Sequence, residues 1–494
     1  MSLLLGLDIG TTGAKALLCD GGGNVVATAT AEYPLYSPQP LWSEQNPADW
    51  WRGAREAIRA VALKVDASQI AGLGLTGQMH GAVFLDPDDT VIRPALLWND
   101  QRTAAECDEI TQRVGAARLI EIAGNPALTG FQAPKILWLR NHEPENYARL
   151  AQVLLPKDYI RLLLTGERAA DASDAAGTLL LDLQARDYSA EILAKLEINR
   201  EWLPRVFEGP EVTGKLKAAV AMELGLPEGL PVIAGGGDNA AAAVGTGVVR
   251  SGVVSSSIGT SGVIFAHSDS IALDPGGRLH TFCHAVPNRY HLMAVTLSAG
   301  GAFRWLRDTL GATSYDDMTS AAAGVSIGAE GLIFLPYLTG ERTPHLDPLA
   351  RGAFVGLTAR HTQAHMIRAV MEGVVYSMRD GLEIMRKLGV PIGQMRATGG
   401  GGRSALWRQM QADIYGAEVV TLKAEEGPAY GASLLAGVGT GVFANVAEAA
   451  DNCVTITGHA EPNAKAQAQY EKVYAIYQEL YGKLRESMHQ LAAL

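Results

Sequence analysis

Four glycine-rich turns carry the residues of this chain that could do chemistry. In Asp8-Ile9-Gly10-Thr11-Thr12 a carboxylate ends an apolar run and two hydroxyls follow a glycine. A strand-end carboxylate can hold Mg²⁺ through water, because the ion is hard and gives up its hydration reluctantly. The glycine lets backbone N–H groups approach phosphate oxygens, and Thr11 and Thr12 add hydroxyl donors. Taken alone, this pattern would equally describe an ordinary polar hairpin turn. In Gly235-Gly236-Gly237-Asp238-Asn239 an acid follows a triple glycine and an apolar run. A helix opening there draws an anion to its N-terminus and seats Asp238 upon it. Aspartate is also a common helix cap, and capping does not exclude catalysis. In phosphoryl transfer the base need only orient a hydroxyl and take its proton late, so a carboxylate suffices.

The third turn, Gly259-Thr260-Ser261-Gly262, repeats the first. Ile9-Gly10-Thr11-Thr12-Gly13 aligns with Ile258-Gly259-Thr260-Ser261-Gly262, and each lies between two apolar runs. Two such hairpins suggest two related domains facing one another. The copies differ in one charge, since Ser257 stands where Asp8 would be. That pairing favours phosphate binding for both. The fourth turn, Gly399 to Gly402, lies between a strand and a helix and suggests a flat surface for a nucleotide. Gln78-Met79-His80-Gly81 follows another strand, and its histidine could simply be a structural one.

The elements needed to position these turns are legible in outline. Strands are expected at 3–9, 14–19, 25–33, 70–76, 232–234, 253–258, 263–267 and 395–398. Apolar spacing predicts helices over 363–388 and 470–491, with Gly389 closing the first. Strands alternating with helices mark an α/β fold. The segments 279–285 and 290–295 around Pro287-Asn288-Arg289 read as a hairpin, so His280-x-x-Cys283-His284 is not taken as a metal site. No GxxxxGK[ST] phosphate loop occurs.

Bulk composition narrows the class. The chain has 494 residues, 48% hydrophobic and 19% charged, enough to bury a large core in two or three domains. A net charge of -11 disfavours nucleic acid as a partner. The four cysteines are scattered, which suits a reducing compartment. No uncharged apolar run reaches membrane-spanning length, and the opening leucines read as a buried strand, so no membrane association is expected.

On these motifs the chain resembles the FGGY carbohydrate kinases, within the larger group of actin, hexokinase and heat-shock-chaperone ATPases. The resemblance also rests on Pro134-Lys135-x-x-Trp138 and on the run from Gly352 to Glu372, and it covers nearly the whole sequence. It implies an α/β fold of two ribonuclease-H-like domains facing across a cleft. Residues 1–244 would bind the sugar and 245–494 the nucleotide, with ATP and Mg²⁺ as cofactors. Asp238 would be the catalytic base and Asp8 would position the metal. Met79, His80, Asp238 and Asn239 would hold the sugar. Thr11, Thr12, Gly259, Thr260, Gly400, Gly401 and Arg403 would line the nucleotide.

Leu41-Trp42-Ser43-Glu44-Gln45, Gln78-Met79-His80-Gly81 and Phe334 to Arg342 are most similar to members that phosphorylate the 5-hydroxyl of D-xylulose. Members acting on glycerol carry Arg-Glu in place of Met79-His80. Gln132 departs from the small hydroxyl residue or proline more usual in the family. Kinases of ribulose, fuculose or gluconate are the nearest alternatives, and an ATP-driven conformational switch is the different-class one. A cytoplasmic location follows from the same resemblance, and a homodimer is the assembly common in such families.

Overall fold

The computed structural model describes residues 2–312, 314–423 and 426–494. Its two halves are built on one plan. In the N-terminal half β1 (Leu3–Ile9), β2 (Gly13–Asp20) and β3 (Val25–Glu32) form an antiparallel meander. Beside β1 run β4 (Ile70–Gly77) and β5 (Pro231–Ile233), parallel to it. In the C-terminal half β6 (Gly252–Ile258), β7 (Gly262–Ser268) and β8 (Tyr290–Thr296) form the meander. There β9 (Ile392–Gly399) and β10 (Glu418–Leu422) lie parallel to β6. The order β3-β2-β1-β4-β5 is thus repeated as β8-β7-β6-β9-β10. Strands such as Leu-Leu-Leu-Gly-Leu-Asp-Ile read as near-continuous apolar runs because both faces of the sheet are covered.

Eight helices matter to the site: α1 (Gln132–His142), α2 (Pro156–Thr165), α3 (Ala172–Ala176), α4 (Asp238–Gly245), α5 (Gln363–Lys387), α6 (Ala405–Tyr415), α7 (Pro428–Gly439) and α8 (Ala464–Ala492). The long apolar stripe of α5 packs on the C-terminal sheet, and a Thr362–His365 capping box opens the helix. α8 starts six residues earlier than its apolar face. Its first turns are held by the Asn463 side chain, which accepts from the N–H groups of Lys465 and Ala466, rather than by burial.

One helix departs from the division into halves. α7 comes from the C-terminal half but lies on β1 and β4 of the N-terminal sheet. Its Tyr430, Leu434 and Leu435 share a core with Leu4, Leu17, Cys19 and Ile233. The fit is backbone to backbone. A Cβ on Gly6 would lie 1.9 Å from the Ala429 carbonyl oxygen, and one on Gly74 would lie 1.9 Å from that of Ala432.

The expected hairpin is present as His280–Cys283 against β8. Among the described residues no cluster of three or more metal-ligating side chains occurs. The four cysteines are free and buried. No described helix is long and apolar enough to cross a membrane.

Candidate active site

Three strand ends and one helix start meet at the floor of the N-terminal half. Asp8, at the end of β1, faces Lys15 on β2 and Thr76 on β4 in register. Its Oδ1 is buried without a hydrogen-bond partner. Burial pushes this carboxyl up to about 7, Asp238's charge adds to the push, and Lys15 opposes it. Gly237 caps α4, so Asp238 is the first helical residue rather than the cap. Its Oδ1 accepts from the Asn239 N–H at 2.7 Å and from the Asn239 side-chain amide at 2.9 Å. Burial raises its carboxyl to about 6 while those two bonds pull it back. An orphaned carboxylate oxygen beside a second carboxylate fits a divalent cation that keeps much of its water shell.

Met79 and His80 form the neighbouring wall. Met79 is buried against Gly237, where a Cβ would come within 2.9 Å of the methionine Cγ. His80 has φ of 69°, a left-handed backbone that few non-glycine residues adopt. Two bonds hold it there. Lys135 Nζ on α1 donates to the His80 carbonyl at 2.9 Å, and His80 Nδ1 donates to the Gly177 carbonyl at 2.6 Å. A carbonyl only accepts, so Nδ1 carries the proton and Nε2 presents a free lone pair. Burial holds the ring down at about 3 against the pull of the Gly177 bond, with Lys135 and Arg342 adding positive charge nearby. Burial therefore favours the neutral ring. Gln132, the family departure, donates from its side-chain amide to the Gly81 carbonyl at 2.9 Å and so props the same loop.

The hairpin threonines behave differently from each other. Thr11 Oγ1 accepts from Trp98 Nε1 at 3.0 Å and lies 3.4 Å from Gln78 Oε1. That hydroxyl is already engaged within the protein, whereas Thr12 is exposed at the turn.

In the C-terminal half Gly259, Thr260, Gly400, Gly401 and Arg403 all line one cavity of about 710 Å³. Gly400–Arg403, where a flat surface for a nucleotide was expected, is a single helical turn at the end of β9. Phe303, stacked on Tyr315 at 5.5 Å, gives the cavity an aromatic wall. Arg304 Nη2 reaches Thr260 Oγ1 at 3.4 Å.

Sequence reading missed these aromatic residues, together with Lys15 and Glu426. Lys15 lies directly across the strand pair from Asp8, so strand pairing could have found it. Its Nζ meets Glu426 Oε2 at 2.7 Å and the Glu426 carbonyl at 3.0 Å, a link between the halves. Phe303 and Tyr315 sit in helices with nothing in their local sequence to mark a ligand.

Comparison with known proteins agrees with this geometry. Residues 3–245 match the N-terminal domain of the FGGY family of carbohydrate kinases and 254–440 its C-terminal domain. A xylulose kinase of Lactococcus lactis is 42% identical over 497 aligned residues, covering 99% of each chain. The crystal structure of a ligand-bound xylulose kinase from Lactobacillus acidophilus superposes with a TM-score of 0.95 at 29% identity, covering 99% of this chain and all of that one. A gluconate kinase from the same organism gives 0.94 at 29% identity, covering 99% of each. With both domains matched in order and the paired hairpins in place, this chain belongs to the FGGY family and is an ATP-dependent carbohydrate kinase.

Proposed function

We propose that the enzyme transfers the γ-phosphate of ATP to the 5-hydroxyl of D-xylulose, giving D-xylulose 5-phosphate, with Asp238 as the base. The observation that carries this reading is Asp238 itself. It is a carboxyl raised to about 6, at a helix N-terminus, against the wall made by Met79 and His80. A base near neutrality is ionised at working pH yet accepts a proton readily. Asn239 donates to Asp238 and orients it, keeping its own Oδ1 for a sugar hydroxyl. His80 Nε2 accepts from another hydroxyl, and Met79 closes the apolar side.

The reading gives residues 1–244 the sugar and 245–494 the nucleotide. The aromatic wall of Phe303 and Tyr315 suits an adenine ring, with Gly259, Thr260, Gly400, Gly401 and Arg403 around it. Thr11 and Thr12 offer backbone N–H groups to the phosphates. Lys15, now paired with Glu426, is the cation nearest Asp8 to answer phosphate charge. Mg²⁺, held through Asp8, would supply positive charge to the phosphate oxygens.

The two Lactobacillus acidophilus kinases share fold and identity with this chain yet bear different acceptors in their names. Acceptor choice therefore rests on side chains. A His80 whose neutral form burial favours, and which accepts a hydrogen bond, suits a hydroxyl better than the carboxylate of gluconate. The test is kcat/KM for D-xylulose, L- and D-ribulose, D-fructose, D-gluconate and glycerol under one Mg-ATP concentration. D-Xylulose should rank first. A higher value for any other acceptor overturns the substrate and leaves the kinase standing.

A further inference from the structure

The approach to Asp238 has no side chains of its own. Gly235 has φ of 81°, and a Cβ there would lie 1.7 Å from the Leu75 carbonyl oxygen. A Cβ on Gly236 would meet Ala285 Cβ at 3.1 Å, and one on Gly237 would meet Met79 Cγ at 2.9 Å. Position 235 admits only glycine, and a run of three glycines is the loosest backbone a chain can make. Asn239 holds the carboxylate itself, but whatever holds the backbone that leads to it must reach in from outside.

A buried charge cluster does so. Lys157 Nζ on α2 lies 2.7 Å from Asp158 Oδ1, 2.7 Å from Asp171 Oδ2 and 3.3 Å from Asp174 Oδ2, and all four side chains are fully buried. Arg161 stands 3.5 Å from Asp158. Its guanidinium donates to the Ile233 carbonyl at 2.7 Å and to the Ala234 carbonyl at 2.5 Å. Asp171 accepts from the Ser173 hydroxyl at 2.5 Å. That bond turns the Ser173 lone pair toward Gly237, whose N–H donates to Oγ at 3.1 Å. The two carbonyls before the glycines and the amide just before Asp238 are all gripped by this cluster. Buried ion pairs are weak contributors to stability compared with apolar packing, so their use here is geometric.

We propose that Ser173, held by Asp171 and Lys157, is a positioning residue that fixes the Asp238 carboxylate for proton transfer. The inference rests on Asp238 being the base. Displacing a reacting group by about 1 Å costs on the order of 10²-fold in rate.

The test is Ser173→Ala, alone and combined with Asp238→Asn, with kcat, KM for ATP, KM for D-xylulose and Tm measured. Ser173→Ala alone is expected to lower kcat roughly 10- to 100-fold and to move both KM values by less than about threefold. In the Asp238→Asn background the same change should cost nothing further, because two residues acting as one unit are not additive. A kcat within about twofold of wild type for Ser173→Ala overturns the proposal, as does an equal loss in both backgrounds, which marks a merely structural role. If Asp238→Asn itself keeps normal kcat, the base assignment fails instead, so the two failures are distinguishable. Should Ser173→Ala not fold, Ser173→Cys keeps the size with a weak acceptor. Reduced kcat at wild-type Tm then supports the proposal, and full kcat overturns it.

Discussion

The hairpins at residues 9–13 and 258–262 occupy the same slot in two sheets of the same order, and they have diverged in opposite directions. Both close through a glycine amide: Gly10 N–H to the Gly13 carbonyl at 3.1 Å, Gly259 N–H to the Ser261 carbonyl at 3.0 Å. Both are flanked by a parallel strand, β4 or β9, that ends in glycine. After β4 comes the Gln78-Met79-His80 loop, with Asp8 beside it. After β9 comes the Gly400–Arg403 turn, with Ser257 in the slot of Asp8. The difference teaches that a repeated scaffold fixes where backbone amides point, while one carboxylate sets the two copies apart; on the proposed function, that carboxylate suits the first copy to metal and acceptor.

The strongest way to break that asymmetry is Asp238→Asn. With ATP binding and Tm retained, kcat should fall at least on the order of 10²-fold, the scale of general-base removal. Steady-state kinetics with calorimetry of ATP checks it, and near-normal turnover would remove Asp238 from its role. Asp8→Ser copies the C-terminal slot into the N-terminal one. We expect kcat to drop by roughly 10²-fold and the Mg²⁺ response to flatten, with sugar affinity unchanged. Loss of sugar affinity with an intact Mg²⁺ titration would show the role misassigned.

His80→Ala leaves a sugar hydroxyl unpaired in a buried wall, which should cost roughly 30-fold in kcat/KM for D-xylulose and little in KM for ATP. An equal effect on both substrates would mean His80 serves the fold. The reverse graft, Ser257→Asp, places a carboxylate beside the C-terminal cavity proposed to take the nucleotide. It should raise KM for ATP about tenfold, one unfavourable charge interaction, without moving sugar affinity. An unchanged KM would mean that this slot does not face the phosphates.

The smallest effect concerns stability. The raised pKa of Asp8, about 7 against an ordinary 3.8, means the fold keeps a proton that the unfolded chain has released. That contribution is complete below about pH 4 and is lost as pH rises through 7. Without divalent cation, the Tm advantage of Asp8→Asn over wild type should be a few degrees larger at pH 8 than at pH 5. Thermal melts at the two pH values decide it, and a constant offset would deny the titration.

The central strands, the paired hairpins and the strand–glycine–acid approach to Asp238 were legible because period and glycine placement are local properties. So was α5, whose apolar residues repeat at helical spacing for its whole length. What could not be read depends on partners far away in sequence. Nothing local marks His80 as left-handed, since Lys135 and Gly177 impose it. Phe303 and Tyr315 come together only when helices and β9 meet around one cavity. The grip of Lys157 and Arg161 on the Asp238 approach needs residues some seventy positions apart to be neighbours. The use of Gln132 is likewise invisible locally, because its amide donates to the Gly81 carbonyl some fifty residues away.

The position of α7 bears on how this chain is made. The face of the N-terminal sheet that carries Leu4, Leu17 and Ile233 is covered by residues 428–439. A ribosome adding about 5–20 residues per second needs roughly 10–40 seconds to pass from Gly245 to Gly439. Throughout that interval the emerging first half presents an uncovered apolar surface, with Gly6 and Gly74 open for a backbone not yet synthesised. A gene fragment ending near residue 245 would hold its product in that state permanently. Such a fragment should partition into aggregates or onto chaperones, and supplying a peptide of α7 in trans should draw it back into solution.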